Sequence, residues 1–129
     1  MPEFSFKKGE RLSSKKAISA LFQSGKAIYV PPLKLLFMRA EGIPYPVEAA
    51  ISVPKRLYKR AVDRNLLKRR IREAYRINKS GFYTWLRENE LQLYLVIQYH
   101  HKEIVDYHTI EKGLKKALEQ VLLKLEKSH

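Results

Sequence analysis

From Arg60 to Arg76 every fourth residue is a cation: Arg60, Arg64, Lys68, Arg72 and Arg76. Like charges at that spacing destabilise an isolated helix by about 0.2–0.5 kcal/mol per pair. Only Asp63 and Glu73 offset them locally. Such a string becomes a stable helix only when packing against the rest of the chain supplies the missing energy, and it carries a surface for that. At about 100° per residue, Arg64, Lys68, Arg72, Arg76, Asn65 and Arg69 fall within an arc of roughly 140°. Leu66, Leu67, Ile71, Ala74 and Ile77 fall on the opposite side. The fold is therefore expected to lay the oily side of a helix, spanning roughly Tyr58 to Asn78, on a core and to leave the basic side in solvent. Arg70 points toward the apolar half, where its long stem is expected to snorkel at the edge.

The same region concentrates the charge. Lys55 to Lys79 holds eleven Lys and Arg against two acids, a surplus of nine out of a formal net charge of +13. A basic surplus fits a nucleic acid, an anionic membrane surface or an acidic protein. Membrane-binding helices expose a large apolar face, and here the core requires that face. Nucleic acid is the favoured partner. Ordinary solvated helix faces mix charge signs; this one does not.

At 129 residues, 45% of them apolar or aromatic, the chain reads as one domain, 1–129, with a real hydrophobic core. Its ends, 1–8 and 127–129, are expected to be flexible. It has no cysteine, which removes disulfides and thiolate metal sites. No apolar run reaches the roughly 18 residues that span a bilayer, and Met1 to Arg11 lacks the apolar stretch of a secretory signal. The chain reads as cytoplasmic, with no membrane partner.

Ser13 or Ser14 can cap a first helix that carries Ala17, Ile18, Leu21 and Phe22 on one face and ends at Gly25. Leu33 to Met38 and Val47 to Val53 read as strands close enough to form a hairpin, joined by the Gly- and Pro-bearing segment Ala40 to Pro46. The basic helix follows and stops at Ser80-Gly81. A short helical turn is expected around Trp85. Leu93 to Tyr99 reads as a strand. Asp106 or Thr109 can cap a last helix with a stripe of Ile110, Leu114, Ala117, Leu118, Val121, Leu122 and Leu125. The order is αββαβα, an α/β (α+β) two-layer sandwich. Its second strand, basic helix and last strand form a β-α-β unit, for which the general rule predicts a right-handed crossover.

Arginine presents a planar fork suited to phosphate and lysine a mobile point charge, so the basic arc suits a nucleic-acid backbone. A second candidate is a cleft between the first helix and the sheet, with Ile18, Phe22, Tyr29, Lys34 and Ser52. Aromatic faces in a basic groove hold single strands, yet at helical spacing alone Phe22 and Ile18 read as core. No catalytic constellation is apparent. Ser52 lacks His and Asp partners, the carboxylates Glu48, Asp63 and Glu73 do not cluster, and no glycine-rich phosphate loop exists. His100, His101 and His108 read as surface residues, not metal ligands.

The run Arg64-Asn65-Leu66-Leu67-Lys68-Arg69-Arg70-Ile71-Arg72-Glu73 resembles the R-N-x-x-K-R-x-x-R-E signature of the bacterial ribonuclease P protein component family. Ile51-Ser52-Val53-Pro54-Lys55-Arg56 is similar to the strand and basic turn before that signature. Arg11-Leu12 and Leu21-Phe22-Gln23-Ser24-Gly25-Lys26 are similar to the family's N-terminal helix. The resemblance covers about residues 9 to 125. It implies that the catalyst is an RNA: the protein assembles with a large RNA subunit that removes the 5′ leader of precursor tRNA using magnesium ions, and no metal site or catalytic residue is expected in the protein. By the same resemblance Arg64, Asn65, Lys68, Arg69 and Arg72 contact the RNA subunit, with Lys55, Arg60 and Arg76 as neighbours. The single-stranded leader lies in the cleft of Phe22, Ile18, Tyr29, Lys34 and Ser52. The family's left-handed β-α-β crossover replaces the general expectation, in a sandwich shared with a domain of some ribosomal proteins.

Three positions depart from the family pattern. Ile18 stands where many members have an aromatic, which implies weaker or displaced stacking. Pro54 replaces a small residue at the turn into the basic helix. Leu57-Tyr58-Lys59-Arg60 lacks a common glycine and adds charge, which implies contacts extending toward the helix start. The rivals to this reading are a non-catalytic RNA-binding protein, such as a ribosomal protein or RNA chaperone, and a DNA-binding regulator. The regulator requires a helix-turn-helix pair, and none is evident.

Overall fold

The computed structural model describes residues 6–128, with side chains to 127. Of the ends expected to be flexible, 1–5 and 129 lie outside the described residues. A 3-10 turn, Lys8–Glu10, leads into α1 (Lys15–Ser24), β1 (Lys26–Val30), β2 (Leu33–Ala40), β3 (Val47–Ser52), α2 (Ala61–Asn78), α3 (Ser80–Glu88), β4 (Gln92–Tyr99) and α4 (Tyr107–Ser128). Local chemistry sets several boundaries. Ser14 Oγ accepts from the Ala17 amide at 3.2 Å and caps α1, and Asp106 Oδ1 accepts from the Thr109 amide at 2.8 Å at the start of α4. Gly25 ends α1, its amide donating to Leu21 O.

The strand order is β1-β2-β4-β3, with β1–β2 and β2–β4 antiparallel and β3–β4 parallel. This corrects two expectations. The expected hairpin of Leu33–Met38 with Val47–Val53 does not form, because β4 lies between these strands. The hairpin partner of β2 is Lys26–Val30, a strand the αββαβα order omitted. The turn expected near Trp85 is a nine-residue helix, α3. The parallel β3–β4 pair, with Val47 beside Leu93 and Ile51 beside Ile97, is the expected β-α-β unit.

Strand alternation divides the apolar residues between the two faces of the sheet. Leu33, Leu35 and Phe37 of β2, and Leu93, Leu95, Ile97 and Tyr99 of β4, join the main core under α2, α3 and α4. The stripe of α4, from Ile110 to Leu125, is buried there as expected, Leu122 only partly. On the opposite face Leu36 and Val96 pack with Leu12 and Leu21 in a smaller cluster. A buried leucine side chain contributes about 1.5–3 kcal/mol, so Leu21, fully buried, anchors α1 to this face.

Candidate nucleic-acid interface

The basic helix docks as its charge pattern requires, but in a different phase. Its buried residues are Leu67, Ile71, Ala74 and Tyr75. Leu66 is half-buried and Ile77 is exposed, so the docking line is rotated by roughly 60° from the expected one. Tyr75 takes the place assigned to those two. It buries its ring because its hydroxyl has a partner, Tyr83 Oη at 3.2 Å. Burial pushes the Tyr75 hydroxyl's pKa up, a shift the Tyr83 bond only partly offsets. The helix also begins later than expected. Tyr58 lies in the preceding turn, buried, and its hydroxyl donates to His101 O at 2.8 Å.

The rotation sorts the candidate cations. Arg64 is half-buried and donates through Nη1 to Tyr58 O and Lys59 O, both at 2.8 Å, so it ties the entry turn to the helix. Arg76 is engaged with Glu73, with Nη2 2.5 Å from Oε1 and Nε 3.2 Å from Oε2. That pairing draws the Glu73 carboxyl below the usual carboxylate range. These two depart from the expectation of a basic stripe left wholly to solvent. Arg60 lies a loose 4.0 Å from Asp63. The side chains of Asn65, Lys68, Arg69 and Arg72 form no hydrogen bond or ion pair among the described residues, and neither does that of Lys55 in the turn before the helix. Arg69 stands near the middle of the outward face. Arg70 does sit at the apolar edge, and its Nη1 donates to Val105 O at 2.6 Å, joining α2 to the segment before α4.

A hollow of about 510 Å³ opens beside this strip, between α2 and the free edge of β3. Lys68 and Arg72 line one side, Phe6, Arg11 and Leu12 the other. The N-terminal residues reach this place because Arg11 bridges to Ala49 and the Leu12 amide donates to Ala49 O at 2.9 Å. Arg11 is the basic residue the sequence reading missed here. Only the isolated Arg-Leu pair marked it.

The second candidate surface is the part of the sheet that α1 leaves open. Ladder partners share a face, and the register aligns Tyr29, Lys34, Gln98 and Ser52 in one row across all four strands. Three of the five cleft candidates thus stand in line, joined by Gln98, which was not anticipated. Tyr29 is exposed and meets His100 edge-to-face at 5.2 Å, so His100 belongs to this surface as well. On α1, Phe22 is 51% exposed, which excludes the core role its spacing suggested, while Ile18 is partly buried on the small cluster. Ser24, on one flank of α1, lines a hollow with Met38 and Arg39. At about 100° per residue Ile18 and Phe22 occupy the other flank, turned toward the row.

Among the described residues no group of three or more His, Asp or Glu side chains is placed to hold a metal ion. No helix among the described residues is long and apolar enough to cross a membrane.

A family model, Ribonuclease P, matches residues 6–122. The chain belongs to the ribonuclease P protein family. A ribonuclease P protein component from Porphyromonas gingivalis is 34% identical over 118 residues, 91% of this chain and 86% of that one. Another, from Chlorobaculum tepidum, is 38% identical over 77 residues, 57% of this chain and 50% of that one. Among solved structures, the ribonuclease P protein of Staphylococcus aureus superposes with a TM-score of 0.70 at 20% identity, covering 87% of this chain and 94% of that one. That of Thermotoga maritima gives 0.67 at 28% identity, over 86% and 96%. Membership bears out the reading of the Arg64–Glu73 run, and with it the role of protein component in the ribonuclease P ribonucleoprotein. The matched span takes in residues 6–12, the N-terminal strap that joins the edge of β3, together with α1, the whole sheet and α2.

Proposed function

We propose that the chain grips the ribonuclease P RNA subunit with Asn65, Lys68, Arg69 and Arg72, flanked by Lys55 and Arg60, and holds the precursor tRNA 5′ leader along the Tyr29–Lys34–Gln98–Ser52 row. The observation that carries this is the run of side chains on α2 left without partners by a helix whose other side is fully docked. Fixed cations neutralise phosphates crowded by RNA folding, so the RNA reaches its active form at lower magnesium. Magnesium acts within the RNA. Arg64 and Arg76 shape this surface, Arg64 by bracing the helix entry and Arg76 through its pairing with Glu73. On the sheet, Phe22 and Tyr29 offer aromatic faces and Lys34 a charge, the combination that suits a single strand. The RNA partner places the chain in the cytoplasm.

The test is precursor tRNA cleavage by the RNA subunit at low magnesium, with and without the protein. The protein is expected to raise the rate. Replacing Lys68, Arg69 and Arg72 together by methionine is expected to abolish the gain with the circular dichroism spectrum unchanged. About five neutralised phosphates give a slope of log affinity against log salt of roughly −3.5 to −4.5. No gain in cleavage, or a slope near −1, refutes the proposal and favours a non-catalytic RNA-binding role.

A further inference from the structure

Arg70 serves neither the outward strip of α2 nor the core. The R-N-x-x-K-R-x-x-R-E signature leaves its position open, and its guanidinium ends on a backbone carbonyl, Val105 O at 2.6 Å. That carbonyl belongs to residues 100–106, the connection without regular structure between β4 and α4. The end of β4 supplies part of the hold on this loop. Tyr99 Oη donates to Glu103 O at 2.5 Å and accepts from the Val105 amide at 3.1 Å. The rest comes from α2 and its entry turn. Tyr58 Oη donates to His101 O at 2.8 Å, and Arg64 ties Tyr58 O and Lys59 O back to the helix. The first residue of the loop works on the opposite face of the sheet. The His100 amide donates to Pro32 O at 2.8 Å, and its ring stands edge-to-face on Tyr29 at 5.2 Å. The loop therefore runs from the end of the Tyr29–Lys34–Gln98–Ser52 row to the flank of the basic helix.

We infer that Arg70 is a positioning residue for the precursor tRNA leader: together with Tyr58 it clamps residues 100–105 from the side of α2, and that loop keeps His100 against Tyr29 at the end of the leader row, an inference that rests on the reading of this row as the leader site. Tyr29 is 56% exposed, so it needs a wall to hold its ring in one place. A stacking face that is already ordered spares the ligand the cost of ordering it. His100 is that wall, and its own place depends on the loop behind it. A charged donor on a carbonyl is a stronger tie than a neutral one, which suits an arginine to a loop with no ladder of its own. Arg69 and Arg70 thus divide the work of one helix. At about 100° per residue the first turns to the outward strip and the second to the loop. The helix read here as the RNA-facing one also sets the order of the substrate surface on the far side of the sheet.

The test uses the full chain assembled with the RNA subunit and compares precursor with mature tRNA. Arg70→Met is expected to weaken precursor binding about 5-fold, the lower end for one stacked base, and to leave mature tRNA binding unchanged. The affinity for the RNA subunit and its salt slope should stay as they are, because Arg70 meets a carbonyl and not a phosphate. Arg70→Lys, which keeps a charged donor, is expected to restore most of the preference for precursor. Tyr58→Phe loses one hydrogen bond to the loop and is expected to weaken precursor binding about 2-fold; it carries the test if circular dichroism shows Arg70→Met unfolded. In NMR of the free chain, the cross-peaks between the Tyr29 and His100 rings should fade in Arg70→Met. A preference for precursor that is present in the unaltered chain and untouched in Arg70→Met and Tyr58→Phe overturns the inference alone. So does a salt slope shallower by about one in Arg70→Met, which would make Arg70 a phosphate contact. An unaltered chain that shows no preference for precursor removes the leader reading and the inference together.

Discussion

Replacing Lys79 by methionine removes one charge from its ion pair with Glu10, which ties the N-terminal strap to the α2–α3 junction and which solvent barely reaches. Glu10 then retains a hydroxyl donor, Tyr83 at 2.7 Å, and a long backbone donor, Lys7 at 3.3 Å, but no counter-charge. Breaking one side of a buried ion pair costs about 3–5 kcal/mol, chiefly because the surviving charge stays desolvated. A domain of this size has about 5–15 kcal/mol in total. The single variant is therefore expected to lose about a fifth or more of its stability, with a fall in Tm of roughly 10–20 °C. Adding Glu10→Gln removes the stranded charge, while the amide oxygen still accepts from Tyr83. Urea unfolding of both single variants and the double variant measures the coupling. The double variant is expected to recover about 2–3 kcal/mol relative to the sum of the singles. A Lys79→Met loss under about 1 kcal/mol, or losses that simply add, would show that the strap is not held by this pair.

Other measurements bear on separate parts of the molecule. Phe22→Ala is expected to change stability by no more than about 0.5 kcal/mol, since the ring is half exposed. Its leader affinity should fall about 5- to 100-fold, the equivalent of one stacked base, as read by the preference for precursor over mature tRNA. A Cβ at Gly25 would stand 2.6 Å from Leu21 O, so Gly25→Ala is expected to cost about 1–3 kcal/mol in thermal unfolding. Burial pushes the Tyr58 hydroxyl up from 10.0 to about 12. Between those values the unfolded chain has released a proton that the folded chain retains, so stability is whole below pH 10 and declines toward pH 12. Tyr58→Phe is expected to flatten that part of the urea-unfolding profile.

Much of this was legible in the chain because charge and apolar spacing along one helix are local signals. The α2 strip, the α4 stripe and the caps at Ser14 and Asp106 are all set by residues within a few positions of each other. The phase of α2 was not. Leu66 and Ile77 are as apolar as Leu67, and only the position of the sheet and α4 decides which of them is covered, while Tyr75 enters the core because a distant hydroxyl receives its own. Strand β1 escaped notice because three of its five residues are exposed, leaving Ile28 and Val30 as its only buried positions. The insertion of β4 between β2 and β3 is likewise a long-range choice. The strap lies furthest from any local signal. Glu10 and Lys79 are 69 positions apart, and each reads alone as an ordinary surface charge. Burying both is costly, and a hydrophobic pair would hold the strap at least as well. The pair differs in fixing one register, since a carboxylate with defined donors admits fewer alternative positions than an oily contact. Arg11 lines the hollow with Lys68 and Arg72 while the strap keeps that register, so at the N-terminus the residue that lines the hollow and those that place it are different residues, and a helix signature alone reveals neither.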